Sequence, residues 1–152
     1  MAETVARGMI TALDTNIIVG LWDQNEEFSS QALIALEASQ TQGGLVVSAP
    51  VYAELMAAPG RNERFLNDFF QDTGIRVEWE LDEPVWRAAG RAFEHYARRK
   101  NTQKAGGPRR ILADFIIGAH ALVKADRLLT FNQGFYKRAF PNLKIATLSS
   151  SS

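Results

Sequence analysis

Met9-Ile10-Thr11-Ala12-Leu13-Asp14 runs straight into Thr15-Asn16-Ile17-Ile18-Val19-Gly20-Leu21-Trp22, and the reading of this junction decides the fold. The first stretch is short and largely apolar, suited to a buried strand that ends at a carboxylate. The second predicts a short helix in spite of its β-branched residues, with Asp14 placed to cap it. A buried strand handed directly to a helix is the repeating unit of an α/β sheet.

Working outward, the unit recurs. Phe28 to Gln40 predicts a helix with Ala32, Leu33 and Leu36 on one face, Ser29 or Ser30 as N-cap and Gly43 as its stop. Leu45-Val46-Val47-Ser48 is a second buried strand, and Pro50 then sits where the first turn of a helix tolerates proline. That helix carries Glu54 and ends near Pro59-Gly60. Arg61 to Gln71 is another helix, with Phe65, Leu66, Phe69 and Phe70 turned inward. Ile75 to Trp79 alternates like an edge strand. Glu83 to Lys100 is a long amphipathic helix, Val85, Ala89, Ala92, Phe93 and Tyr96 facing one way and Arg87, Arg91 and Arg98 the other. After a polar loop from Asn101 to Pro108 come an apolar helix from Ile111 to Lys124 and two last strands, Arg127 to Thr130 and Lys144 to Thr147. Strands alternating with helices give a mostly parallel sheet covered on both faces, and ligands bind beyond the carboxyl ends of such strands.

The chain has 152 residues, room for one compact domain. Its expected span is 9–147, with an N-terminal extension at 1–8 and a disordered tail at 148–152. Composition is that of a soluble globular protein: 46% hydrophobic, 22% charged. No apolar run approaches the ~20 residues that span a bilayer. The absence of cysteine removes disulfides, thiolate metal sites and a cysteine nucleophile. Together with an N-terminus that does not read as a secretion signal, it leads us to expect a cytoplasmic protein. Zero net charge argues against a protein that coats nucleic acid with its whole surface.

Three acids stand where the sheet rule directs attention. Asp14 ends the first strand, Glu54 lies just beyond the second, and Asp114 falls near the start of the Ile111 helix. Each is set in apolar sequence, and a buried carboxylate is costly unless paired, hydrogen-bonded or metal-bound. Capping accounts for Asp14 or Asp114 taken singly, and a solvated face accounts for Glu54. Convergence of all three would instead make an oxygen-only site for a hard cation, Mg²⁺ or Mn²⁺. Such a site suits phosphodiester hydrolysis and requires no protein nucleophile. Neither a Gly-x-Ser-x-Gly elbow nor a Gly-Lys-Ser/Thr phosphate loop offers another chemistry.

Four segments, in order, resemble the motifs of PIN domains of the VapC toxin type. They are Leu13-Asp14-Thr15-Asn16, Ser48-Ala49-Pro50-Val51-Tyr52-Ala53-Glu54-Leu55, Ala113 to Ala121, and Leu128-Leu129-Thr130-Phe131-Asn132-Gln133-Gly134-Phe135-Tyr136. The resemblance implies a three-layer α/β/α fold with a mostly parallel central sheet. It also implies a metal-dependent endoribonuclease, usually homodimeric and neutralised by a VapB-like antitoxin. Asp14, Glu54 and Asp114 match three acidic positions of the family, and Thr15, Asn16 and Thr130 fall where supporting polar residues are expected. The family commonly carries a fourth aspartate where this chain has Asn132, which is read either as a turn residue or as a ligand that adds no charge. Asp126 does not replace it, because it belongs at the opposite sheet edge.

Candidate contacts to RNA are Arg98 and Arg99 on the long helix and Arg109 and Arg110 before Asp114, set against the plainer reading of a solvated basic face. His95 and His120 are read as structural, since neither forms an i, i+4 ligand pair. Two other functions compete with RNA cleavage: an impaired module that binds RNA or a protein without cutting, motivated by Asn132, and a nuclease for structured DNA, disfavoured by the compact length.

Overall fold

The computed structural model describes residues 8–102, 111–146 and 148. Thr147, Ser149 to Ser152, Lys104, Arg109 and Arg110 lie outside the described residues, as does most of the N-terminal extension.

Among the described residues, the order is β1 (Thr11–Leu13), α1 (Thr15–Leu21), α2 (Glu26–Gln42), β2 (Leu45–Ser48), α3 (Ala49–Met56), α4 (Glu63–Thr73), β3 (Arg76–Glu78), α5 (Glu83–Thr102), α6 (Leu112–Lys124), β4 (Arg127–Leu129) and α7 (Gln133–Ala139). The strands form one sheet in the order β3-β2-β1-β4, every pairing parallel, flanked by the helices. This is the expected three-layer α/β architecture, and β3 is an edge strand as its alternation suggests. Both inner strands are buried along their whole length, as a parallel sheet covered on two faces requires.

The core collects Leu13, Ile17, Val46, Val47, Leu55, Leu66, Phe115, Ile117, Leu128 and Leu129 into one cluster. Long α5 packs antiparallel on α6: Asp82, just before α5, bonds Lys124 at the end of α6, while Tyr96 meets Phe115 at its start, 5.4 Å between ring centroids. α4 ends as its sequence dictates, on Gly74 at φ 73°, a left-handed conformation that glycine adopts without strain.

Several elements differ from the sequence reading. α2 begins earlier, at Glu26, because Asn25 rather than Ser29 or Ser30 caps it, accepting from the amides of Glu27 and Phe28. Leu33 is exposed; Ala32, Ala35 and Leu36 form the buried face. In α4 Leu66 and Phe70 point inward, whereas Phe65 is exposed and packs edge-on against Trp22. The expected strand from Lys144 is a single parallel bridge, Leu128 to Ile145, too brief to count as a fifth strand. α7 is an addition that the sequence reading lacks.

Candidate active site

Asp14 leaves β1 at its carboxyl end and is 6% exposed. Both of its carboxylate oxygens accept hydrogen bonds. Oδ1 accepts from the Thr15 amide at 2.7 Å, capping α1, and Oδ2 accepts from the Thr130 hydroxyl at 2.7 Å. Thr130, itself fully buried after β4, also takes the Asn132 amide at 2.9 Å and the Asn16 side-chain amide at 3.4 Å. Asn16 returns the tie by accepting from the Phe131 amide at 3.2 Å. Thr15, Asn16 and Thr130 therefore buttress the aspartate, joining the ends of β1 and β4.

Glu54 is half-buried in α3, and its carboxylate accepts from the hydroxyl of Thr15, the residue beside Asp14. Asp114, also half-buried, sits in the first turn of α6. Its amide donates to the Ile111 carbonyl at 3.1 Å and its Oδ2 faces the Ile111 amide at 3.4 Å. The capping roles open to Asp14 and Asp114 are thus both present, but capping does not exhaust either residue. Burial pushes the Asp14 carboxyl up to about 6; the Thr130 and Thr15 hydrogen bonds oppose this, and the negative charges of Asp114 and Glu54 add to it. The three acids share one electrostatic neighbourhood.

Tyr136 in α7 is a residue near the acids to which the sequence reading gives no role. It is 1% exposed, and its hydroxyl meets no oxygen at hydrogen-bonding geometry. Burial, reinforced by Asp14, Asp114 and Glu54, holds the phenol far above its ordinary pKa, so it faces the acids as a protonated donor. The available signal was its place four residues after Asn132, inside a motif already singled out.

Among the described residues, no three Asp, Glu or His side chains stand close enough to make a closed cation cage by themselves. The donor chemistry nevertheless fits a hard divalent ion: carboxylates backed by hydroxyl and amide oxygens, with no imidazole nearby. A buried aspartate crowded by two further acids is what a bound cation relieves.

The remaining candidates lie elsewhere. Asp126 accepts from the Ile10 amide at 2.7 Å, at the amino end of β1 and away from Asp14, as expected. His120 is buried against Glu78 of β3, and burial holds its pKa below the ordinary value, so it is a neutral structural histidine. His95 is exposed on α5. Arg87 and Arg98 are exposed and tied to Glu83 and Glu94 one turn earlier. Arg99 is exposed nearby.

A family model described as PIN domain matches residues 11–141. The chain belongs to the PIN domain family. PIN domains are generally nucleases, and this one has solved structural relatives over most of its length. The VapBC structure from nontypeable Haemophilus influenzae is 25% identical, with 93% of this chain and 100% of that chain covered at a TM-score of 0.63. A VapBC structure from Rickettsia felis, bound to a DNA fragment from its promoter, is 23% identical, covering 90% and 97% at a TM-score of 0.66. A toxin–antitoxin complex from Klebsiella pneumoniae is 18% identical, covering 93% and 99% at 0.57. No curated protein matches this PIN domain. Among the described residues, no helix is long and apolar enough to cross a membrane.

Proposed function

We propose that this PIN domain is a Mg²⁺-dependent endoribonuclease, Mn²⁺ serving as a substitute, and that it is the toxin of a VapBC-type toxin–antitoxin pair. One observation carries the reading: Asp14 is buried at the carboxyl end of the central strand with the charges of Asp114 and Glu54 upon it. In this reading Asp14, Glu54 and Asp114 hold the cation and are the catalytic acids. When bound, such a cation neutralises phosphoryl charge and acidifies water. Thr130 and the Thr15 amide hold Asp14 in one orientation, and the Thr15 hydroxyl does the same for Glu54. Tyr136, kept protonated, offers a donor beside the carboxylates. Arg109 and Arg110 would meet the RNA backbone close to Asp114, with Arg98 and Arg99 further along.

The partners follow from the same resemblance: a VapB-like antitoxin whose basic side chain would enter the acidic site, a second copy of the chain as homodimer, and a cytoplasmic setting. Asn132 favours a second reading, a PIN module that binds RNA or a protein without cutting, because the fourth acidic position contributes no charge.

Labelled RNA and DNA incubated with Mg²⁺ or Mn²⁺, and with chelator, separate the readings. Chelator-sensitive cutting of RNA that disappears in Asp14→Asn and Asp114→Asn is the expected result. Binding without cutting would establish the second reading, and cutting confined to DNA would replace the substrate.

A further inference from the structure

Among the described residues, three buried side-chain polar atoms have no hydrogen-bond partner: Ser48 Oγ, the Tyr136 hydroxyl and Arg61 Nε. Buried polar groups are nearly always paired, so each exception calls for a physical reason. Arg61 has one, since its guanidinium lies 4.9 Å from the ring centroids of both Trp22 and Phe65. The other two stand beside the acids.

Sheet register places Ser48. Ala12 of β1 pairs with Val46 of β2 and with Leu128 of β4. Two residues further along each strand come Asp14, Ser48 and Thr130, which therefore share one rung and one face. The Asp14 amide keeps that rung in the ladder by donating to the Leu129 carbonyl at 3.0 Å. Ser48 is then one strand spacing from Asp14, about 4.8 Å between backbones. The two neighbours of Asp14 on this rung differ in one respect. Thr130 spends its hydroxyl on the carboxylate, and buried Ser48 spends its own on nothing. Nor does Ser48 cap α3, the helix it precedes: Pro50 in the first turn has no N–H, and no other amide of that turn reaches the side chain.

Tyr136 belongs to α7, which follows β4, and is as deeply buried as Ser48. Beyond its burial, the charges of Asp14, Asp114 and Glu54 bear on the phenol, Asp14 foremost. Two hydroxyls, shielded from solvent and bonded to nothing, thus adjoin the buried aspartate of the candidate cation site. A hydroxyl can accept one hydrogen bond while donating another. Among the described residues the acids make no closed cage, so a bound Mg²⁺ would keep part of its water.

We infer that Ser48 and Tyr136 are positioning residues whose hydroxyls accept hydrogen bonds from the water of the cation held at Asp14. The inference rests on the metal-dependent nuclease reading and extends its site beyond the acids. Neither side chain touches the cation or the RNA; each holds a water in one orientation, as the outer partners of a metal site do. The arrangement has a distinctive sign. Unpaired, the hydroxyls destabilise the metal-free fold; paired with water, they stabilise the loaded one.

Ser48→Ala and Tyr136→Phe each remove one oxygen and little else. The test is titration calorimetry of Mg²⁺ into the full chain, paired with thermal melts in chelator. Each variant should bind Mg²⁺ about tenfold more weakly. Each should melt in chelator at or above the wild-type temperature, because a buried group without a partner has been removed. A lower melt in chelator would show that the hydroxyl is structural, and an unchanged Mg²⁺ affinity would show that it does not serve the cation. Either result, in either variant, overturns the inference and leaves the nuclease reading standing. A wild type that binds neither Mg²⁺ nor Mn²⁺ removes both.

Discussion

Thr130 Oγ1 donates to Asp14 Oδ2 across 2.7 Å, a buried hydrogen bond between residues 116 positions apart in the chain. It joins two parallel strands at their carboxyl ends and sets the direction of the carboxylate. It also opposes the burial that raises the Asp14 pKa, so it acts on stability and chemistry together.

Thr130→Val should therefore cost about 1.5–3 kcal/mol, the usual range for a hydrogen bond to a charged group. Removing an interaction that lowers the Asp14 pKa moves that pKa higher. The acid limb of the cleavage profile should shift to higher pH, and Thr130→Ser should restore it. Urea unfolding and a pH–rate profile measure the two effects.

Asp14→Asn should stabilise the metal-free protein while abolishing cleavage. Burial pushes the folded carboxyl from its ordinary 3.8 up to about 6, so ionising it costs folding free energy. That cost is absent below the unfolded value, grows as pH rises through this window, and is complete above about 6. An asparagine escapes it, which gives a gain of up to about 3 kcal/mol at pH 7.5 that vanishes near pH 4. Thermal melts in chelator at the two pH values test this. Mg²⁺ should reverse the order by stabilising only the wild type.

Asn132→Asp restores a charge at the fourth position of the site. Mg²⁺ affinity should rise about tenfold, equivalent to ~1.4 kcal/mol, and titration calorimetry reads it directly. An unchanged affinity would mean that this side chain takes no part in holding the ion.

Gly118→Ala tests the packing of α6. Alanine gains up to about 1 kcal/mol over glycine in a helix. Here its Cβ would stand 2.3 Å from the ring of Phe140, which is buried and cannot swing clear. Overpacking of this kind costs about 1–3 kcal/mol and should outweigh the propensity. Chemical denaturation should show net destabilisation.

The sheet was legible because its strands are short apolar runs closed by residues that begin helices; Leu45 to Ser48 followed by Pro50 is the plainest case. Asp14 was legible for the same reason. The support around it was less so, since nothing local says that Thr130 meets Asp14; only the family resemblance placed them together. α7 was hidden by Gly134, which weakens intrinsic helicity, and forms because Phe135 and Tyr136 are buried. The α2 start was misplaced because two serines nearer the apolar stretch competed with Asn25. Leu33 and Ile34 are both exposed, so apolar character alone could not show which face of α2 turns inward.

β1 lies between β2 and β4, and the Asp14 amide continues that ladder by donating to the Leu129 carbonyl at 3.0 Å. Fraying begins at a sheet's margins, so the strand bearing the principal acid is released only when the whole domain opens. Its amide protons should exchange with solvent at the global unfolding rate, far more slowly than those of β3. A protease or chaperone that must pull β1 itself out of the sheet has then to break pairings on both of its sides.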